Sequence, residues 1–191
     1  MTAIIRRAQK VDAPMLAAIE MVTAPEFAHF LLHGLFEGQS VGPTLASIYA
    51  RPGTDSWQWS WVAEDETPVA AIGAYPVSLV EPATDTGEAA ARLAYFAPIS
   101  DAMRPDAFHI SRLGVLESHR RSGLARGLVE AVIDTARERG DPRLTLFVWE
   151  DNTGARKFYD TLGFAEIDRV TLPAHPRAMR HGTTLLLEKP L

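Results

Sequence analysis

Apolar residues recur along this chain with two different periods, and each change of period marks a new element. Residues 3–8 read as a short strand. Val11-Asp12-Ala13-Pro14 reads as a helix start, with Asp12 as N-cap and a proline in the first turn, where its missing N–H is not needed. Met15, Leu16, Ile19, Met21 and Val22 give that helix its apolar face. A second helical stretch is predicted over 26–35, behind Pro25, and a third between Pro43 and Tyr49. Trp57, Trp59 and Trp61 then alternate with Gln58, Ser60 and Val62, which is strand spacing. Asp65-Glu66-Thr67-Pro68 is a turn, and residues 69–76 are the returning strand of an antiparallel hairpin, with Gly73 as a candidate bulge.

The stretch 80–106 is the least regular. It carries a helical pattern around 87–96 and breaks at Pro82, Pro98 and Pro105. Period two returns over 109–116. An amphipathic helix over 123–139 follows, with Leu124, Leu128 and Val132 at four-residue spacing, closed by Gly140 and Pro142. Residues 143–149 are the next strand, Asn152 or Thr153 caps a short helix ending at Leu162-Gly163, and 167–172 pairs with 183–188. The loop between that pair holds His175, Arg177, Arg180 and His181. Hairpins mixed with one β-α-β crossover put the fold in the α+β, or mixed α/β, class. No linker and no internal repeat divides the chain, so residues 1–191 are expected to form a single domain.

Composition narrows the function. A hydrophobic share of 47% is that of an ordinary globular protein. The net charge of -5 argues against a general nucleic-acid binder. The patch of Arg120, Arg121 and Arg126 suits one small anion better than a duplex. With no cysteine there is no disulfide, zinc–thiolate site or thiol nucleophile, and a cytoplasmic location is compatible. No carboxylate or histidine set has metal-ligand spacing, so no metal is expected. Residues 1–7 are too short and too charged for a signal peptide, and no apolar run is long enough to span a membrane. Abundant Ala and Arg beside only Lys10, Lys157 and Lys189 point to a GC-rich bacterial source.

The chemistry is concentrated in residues 108–164. A turn of Arg120-Arg121-Ser122-Gly123-Leu124-Ala125 opens straight into a helix, an arrangement that turns backbone N–H groups and the positive end of the helix dipole toward an anion. The second signal is Tyr159 on the next helix, a proton donor available at neutral pH. No P-loop and no dinucleotide-binding glycine pattern competes.

These two segments resemble the GNAT superfamily of acyl-CoA-dependent N-acetyltransferases. The family's pyrophosphate loop, Gln/Arg-x-x-Gly-x-Gly/Ala, stands here as Arg120 to Ala125, with alanine in the last place. Its second signature, Asn-x-x-Ala-x-x-Phe-Tyr-x-x-x-Gly-Phe, stands here as Asn152, Ala155, Phe158, Tyr159, Gly163 and Phe164. The resemblance implies a mixed, mostly antiparallel sheet, flanked by helices and splayed between two strands that hold acyl-CoA. It implies pyrophosphate on the turn formed by Arg120, Arg121, Ser122, Gly123, Leu124, Ala125 and Arg126. It also implies pantetheine on the main chain of Leu113, Gly114 and Val115, with Asn152, Ala155 and Phe158 beside it. Asn152 can equally be a plain helix cap.

The implied reaction is direct attack of an amine on acetyl-CoA in a ternary complex, with Tyr159 as the acid that protonates the leaving thiolate. If strand alternation holds, His109, Ser111, Leu113 and Val115 share a face, which makes His109 a candidate base. A structural histidine is the equal alternative, and Glu64, Asp65 and Glu150 are weaker candidates. The acceptor stays open, as does O-acylation or a longer acyl chain. A non-catalytic acyl-CoA sensor is the competing reading. The resemblance also allows a homodimer.

Overall fold

In the computed structural model, which describes residues 3–81 and 86–191, one seven-stranded sheet organises the chain. The predicted break at Pro82 and the start of the N-terminal segment lie outside the described residues. The elements are β1 Ile4–Arg7, α1 Ala13–Thr23, α2 Pro25–Leu32, α3 Val41–Tyr49, β2 Ser60–Asp65, β3 Thr67–Pro76, α4 Gly87–Tyr95, α5 Ala97–Ala102, β4 Phe108–Val115, α6 Leu124–Arg139, β5 Arg143–Trp149, α7 Thr153–Asp160, β6 Ala165–Leu172 and β7 Gly182–Pro190. Spatial order is β1-β2-β3-β4-β5-β7-β6. Only β4 and β5 run parallel, joined by the α6 crossover. This is the mixed, mostly antiparallel α+β fold that the sequence implies.

Both faces of the sheet are covered, so its central strands are apolar on both sides. Trp61, Ala63, Ala70, Ile72 and Ala74 of β2 and β3 face α6 and meet Leu128, Val132 and Ala136 there. Val62 and Ala71 point the other way, onto Leu16, Ile19, Leu45 and Tyr49 of α1 and α3. α6 ends as its sequence dictates: Gly140 adopts φ +80 and its N–H bonds back to the last turn.

Local departures from the sequence reading have physical causes. Trp57–Trp59 is a 3-10 turn rather than strand, because the Ser56 hydroxyl accepts the Gln58 N–H at 3.2 Å and winds the chain there. Of the three tryptophans only Trp61 lies in β2. α2 stops at Leu32, where Arg92 from α4 donates to the Leu31 and His33 carbonyls at 2.7 and 3.0 Å. Pro98 does not break structure but opens α5 as its N-terminal proline.

Candidate active site

The turn ahead of α6 is built to leave donors free. Arg121 sits at φ +62 and Gly123 at φ +86, and these left-handed residues rotate the intervening amides out of any helical ladder. No acceptor among the described residues receives the backbone N–H of residues 121–126; the first bond of the helix is Gly127 N–H to the Gly123 carbonyl at 3.1 Å. Space above Gly123 is open, with no atom within 4 Å of where a Cβ would stand. The arginines frame the turn. Arg120 Nε donates to the Val115 carbonyl at 3.3 Å, and Arg126 to the Thr161 hydroxyl at 3.1 Å. Ser122 Oγ is tied to the His119 carbonyl at 2.5 Å. Leu124 and Ala125 form the first turn of α6, with Leu124 packed on the α6-side core.

β4 and β5 pair only through Phe108–Leu144, His109–Thr145 and Ile110–Leu146. Beyond that the strands diverge, and the edge of β4 from residue 111 onward has no partner strand on the β5 side. The cause is a bulge. β3 pairs Ala74 with Ile110 but Gly73 with Arg112, so Ser111 is an extra residue in β4. Gly73 does mark the bulge, although the inserted residue is on the opposing strand. Leu113 and Val115 direct their side chains into the α6-side core, while Gly114 lies against α1, where an added Cβ would come within 2.8 Å of Ile19.

The same extra residue corrects the expected face of His109. Alternation breaks at Ser111, so His109 faces away from α6, opposite to Leu113 and Val115. It packs between Tyr75 and Phe147, with Nδ1 at 3.0 Å from the Thr145 hydroxyl. Full burial lowers its pKa to about 4, so the ring is neutral at physiological pH.

On α7, Asn152 caps the helix by accepting the Ala155 N–H at 3.2 Å. Ala155 and Phe158 pack at the margin of the α6-side core, and Tyr159 lies within it against Phe158 and Phe164. Its hydroxyl makes no hydrogen bond among the described residues, and burial raises its pKa above the ordinary phenol value. The turn and the free edge of β4 flank the divergence, and Tyr159 shares the α6-side core with Leu113, Val115 and Leu124. Glu64, Asp65 and Glu150 have other commitments, the first on Arg6, the second near His119, the third on Arg169.

The sequence reading missed a buried polar cluster on the α1 side of the bulge. Arg112 stacks 4.2 Å from the Tyr49 ring and donates to Ser60 Oγ at 2.6 Å. Glu20 lies at 3.9 Å and Asp55 at 3.5 Å, and Tyr49 donates its hydroxyl proton to Glu20. Arg112 Nε is buried without a hydrogen-bond partner among the described residues. Glu20 shares a recess with Arg112, Leu113 and Gly114, and burial raises its pKa above the ordinary glutamate value. The one signal in the sequence is a charged residue inside a strand that also carries Phe108, Ile110, Leu113 and Val115.

Residues 39–164 match the acetyltransferase (GNAT) family, and the chain belongs to it. A mycothiol acetyltransferase of Jonesia denitrificans is 44% identical over 57 residues, 30% of this chain and 18% of that one. The N-alpha-acetyltransferase 30 of Schizosaccharomyces pombe is 32% identical over 62 residues, 32% of this chain and 41% of that one. The matched segments span less than half of these relatives' length. Among solved structures, an acetyltransferase superposes with a TM-score of 0.71 at 23% identity over 98% of both chains. An N-acetyltransferase from Staphylococcus aureus Mu50 gives 0.70 at 18% identity, covering 98% of this chain and 100% of that one. These two likenesses establish the fold.

Proposed function

We propose that this protein transfers an acetyl group from acetyl-CoA to an amine by direct attack. The observation that carries the reading is the set of free amides at residues 121–126 beside the diverging edge of β4. A diphosphate can accept those amides while Arg121 and Arg126 supply charge. The open space over Gly123 lets it reach the main chain. The unpaired edge of Leu113, Gly114 and Val115 can hydrogen-bond an amide-bearing arm as a missing strand would.

Tyr159 suits the acid role. Its proton is retained at neutral pH, and its hydroxyl has no competing bond among the described residues. For the base, Glu20 is the better assignment. A carboxylate with a raised pKa faces the same recess as Leu113 and Gly114. His109, with its pKa near 4 and its hydroxyl partner, is the poorer one and more naturally holds β4 to β5. The chain as a single domain and a cytoplasmic setting fit this reading.

Calorimetric titration of acetyl-CoA tests it, with Gly123→Glu and Ala125→Glu as anion-repelling controls. Micromolar binding abolished by both is expected. A folded protein that binds no acetyl-CoA would remove the reading. Free-thiol release on a panel of primary amines then separates an enzyme from an acyl-CoA sensor, and Tyr159→Phe should lower turnover at least tenfold while leaving acetyl-CoA affinity intact.

A further inference from the structure

A second feature lies beyond the divergence, at the end of β5. Leu146 and Val148 point into the α6-side core. Trp149 has the parity of Thr145 and Phe147, which flank His109, and so faces the opposite side. It stands three residues past Leu146, about 10 Å along the strand from the last β4–β5 pair. On that side α2 and the α4–α5 segment bring Phe27 and Phe96 together, stacked at 4.6 Å, to line a recess with Trp149.

The recess is filled. Its free volume of about 10 Å³ is too small for more than a single water, because the loop tip carrying Met179 and Arg180 closes it. Arg180 places its guanidinium 4.7 Å from the centre of the Trp149 ring, within cation–π range. The same group is 3.8 Å from the Glu26 carboxylate and ion-pairs with Asp151. Met179 beside it remains 61% exposed, so this tip gains little from apolar burial. An aromatic face and two carboxylates from separate elements, β5, α2 and the β5–α7 connection, thus converge on one planar cation.

We infer that the Trp149 face, rimmed by Glu26 and Asp151, is a seat for a guanidinium or ammonium group carried by the acceptor, and that Arg180 holds it closed as a tethered stand-in. This rests on the acyl-transfer reading for the identity of the ligand as an acceptor. It adds the substrate class: an amine that bears a second cation a short chain away from its reacting nitrogen. The tether gives Arg180 an effective concentration in the millimolar range, so a free cation must displace it. Removing Arg180 opens the seat without touching the acetyl-CoA turn, which lies next to α6.

Butylguanidinium and its uncharged analogue butylurea are the probes, titrated into wild type, Arg180→Ala and Arg180→Gln. Binding is followed at the tryptophan indole N–H signals by NMR. Both variants should bind butylguanidinium at least tenfold more tightly than wild type and prefer it at least tenfold over butylurea. Adding Trp149→Leu to Arg180→Ala should abolish that binding. Equal affinity in wild type and both folded variants, or equal affinity for the two probes, overturns the seat. Acetyl-CoA titrated into the same samples keeps the two readings apart. If the probe binds and acetyl-CoA does not, the assignment of the cation to an acceptor is overturned.

Discussion

Arg112 illustrates how one buried charge organises its neighbours. Its guanidinium is spread over Tyr49, Ser60, Asp55 and Glu20, which come from α3, the β2 entry and α1. A Cβ at Gly73 opposite would stand 2.5 Å from Arg112 Cζ, so any larger residue there would push the guanidinium out of this arrangement. Arg112→Met should cost about 3–5 kcal/mol, because Glu20 would be left as a buried, uncompensated carboxylate. In urea titrations the double variant Glu20→Gln/Arg112→Met should recover much of that loss. If it does not, the arginine acts through packing rather than charge. His109 makes a second, pH-dependent prediction. Its folded pKa of about 4 lies below the ordinary 6.5, so the unfolded chain binds a proton first as pH falls. The stability it contributes is complete above pH 6.5 and is lost as pH falls through its folded value. That difference amounts to about 3 kcal/mol between pH 7 and 4. His109→Gln should flatten this part of the pH profile, and an unchanged slope would mean the ring is solvated.

The α6 turn and the α7 cap are elements whose geometry follows from local sequence. Gly123 at φ +86 has no neighbour to clash with, so Gly123→Ala should cost only backbone strain, about 1 kcal/mol. Asn152→Ala should cost a similar amount, about 1 kcal/mol, through the lost bond to Ala155 N–H. If thermal unfolding shows either variant several kcal/mol less stable, the segment has a tertiary role beyond its turn. These segments were legible because a glycine, a cap and a helix period are short-range signals. The face of His109 was not. It depends on Ser111 being inserted opposite Gly73, a register decided between strands far apart in the chain. Glu20 was invisible for the same reason, since only packing of α1 on β4 brings it beside Arg112. The tryptophan row misled because Ser56 turns the chain within a stretch whose alternation mimics a strand.

The two halves of the sheet, β1–β4 and β5–β7, touch directly only through the short β4–β5 ladder. What unites them is α6, whose Leu128 and Val132 share one core with Trp61 and Ile72 from the first half and Leu144 and Leu185 from the second. A shared core argues for one cooperative transition despite the thin strand contact. Tryptophan fluorescence reports mainly on the β2 entry and Trp149, while far-UV circular dichroism reports on the helices, so the two probes sample different regions. Their urea transitions should coincide. On the acyl-transfer reading, a ligand lying along the divergence would contact β4 and the α6 turn on one side and the α7 cap on the other. Acetyl-CoA at about a hundred times its dissociation constant should therefore raise stability by about 2.7 kcal/mol and move both transitions together. Separate transitions in the apo protein would show that the β4–β5 junction and α6 are too weak to couple the halves. A ligand shift seen by only one probe would mean that acetyl-CoA engages one side of the divergence alone, and the transfer geometry would have to be assembled by the acceptor.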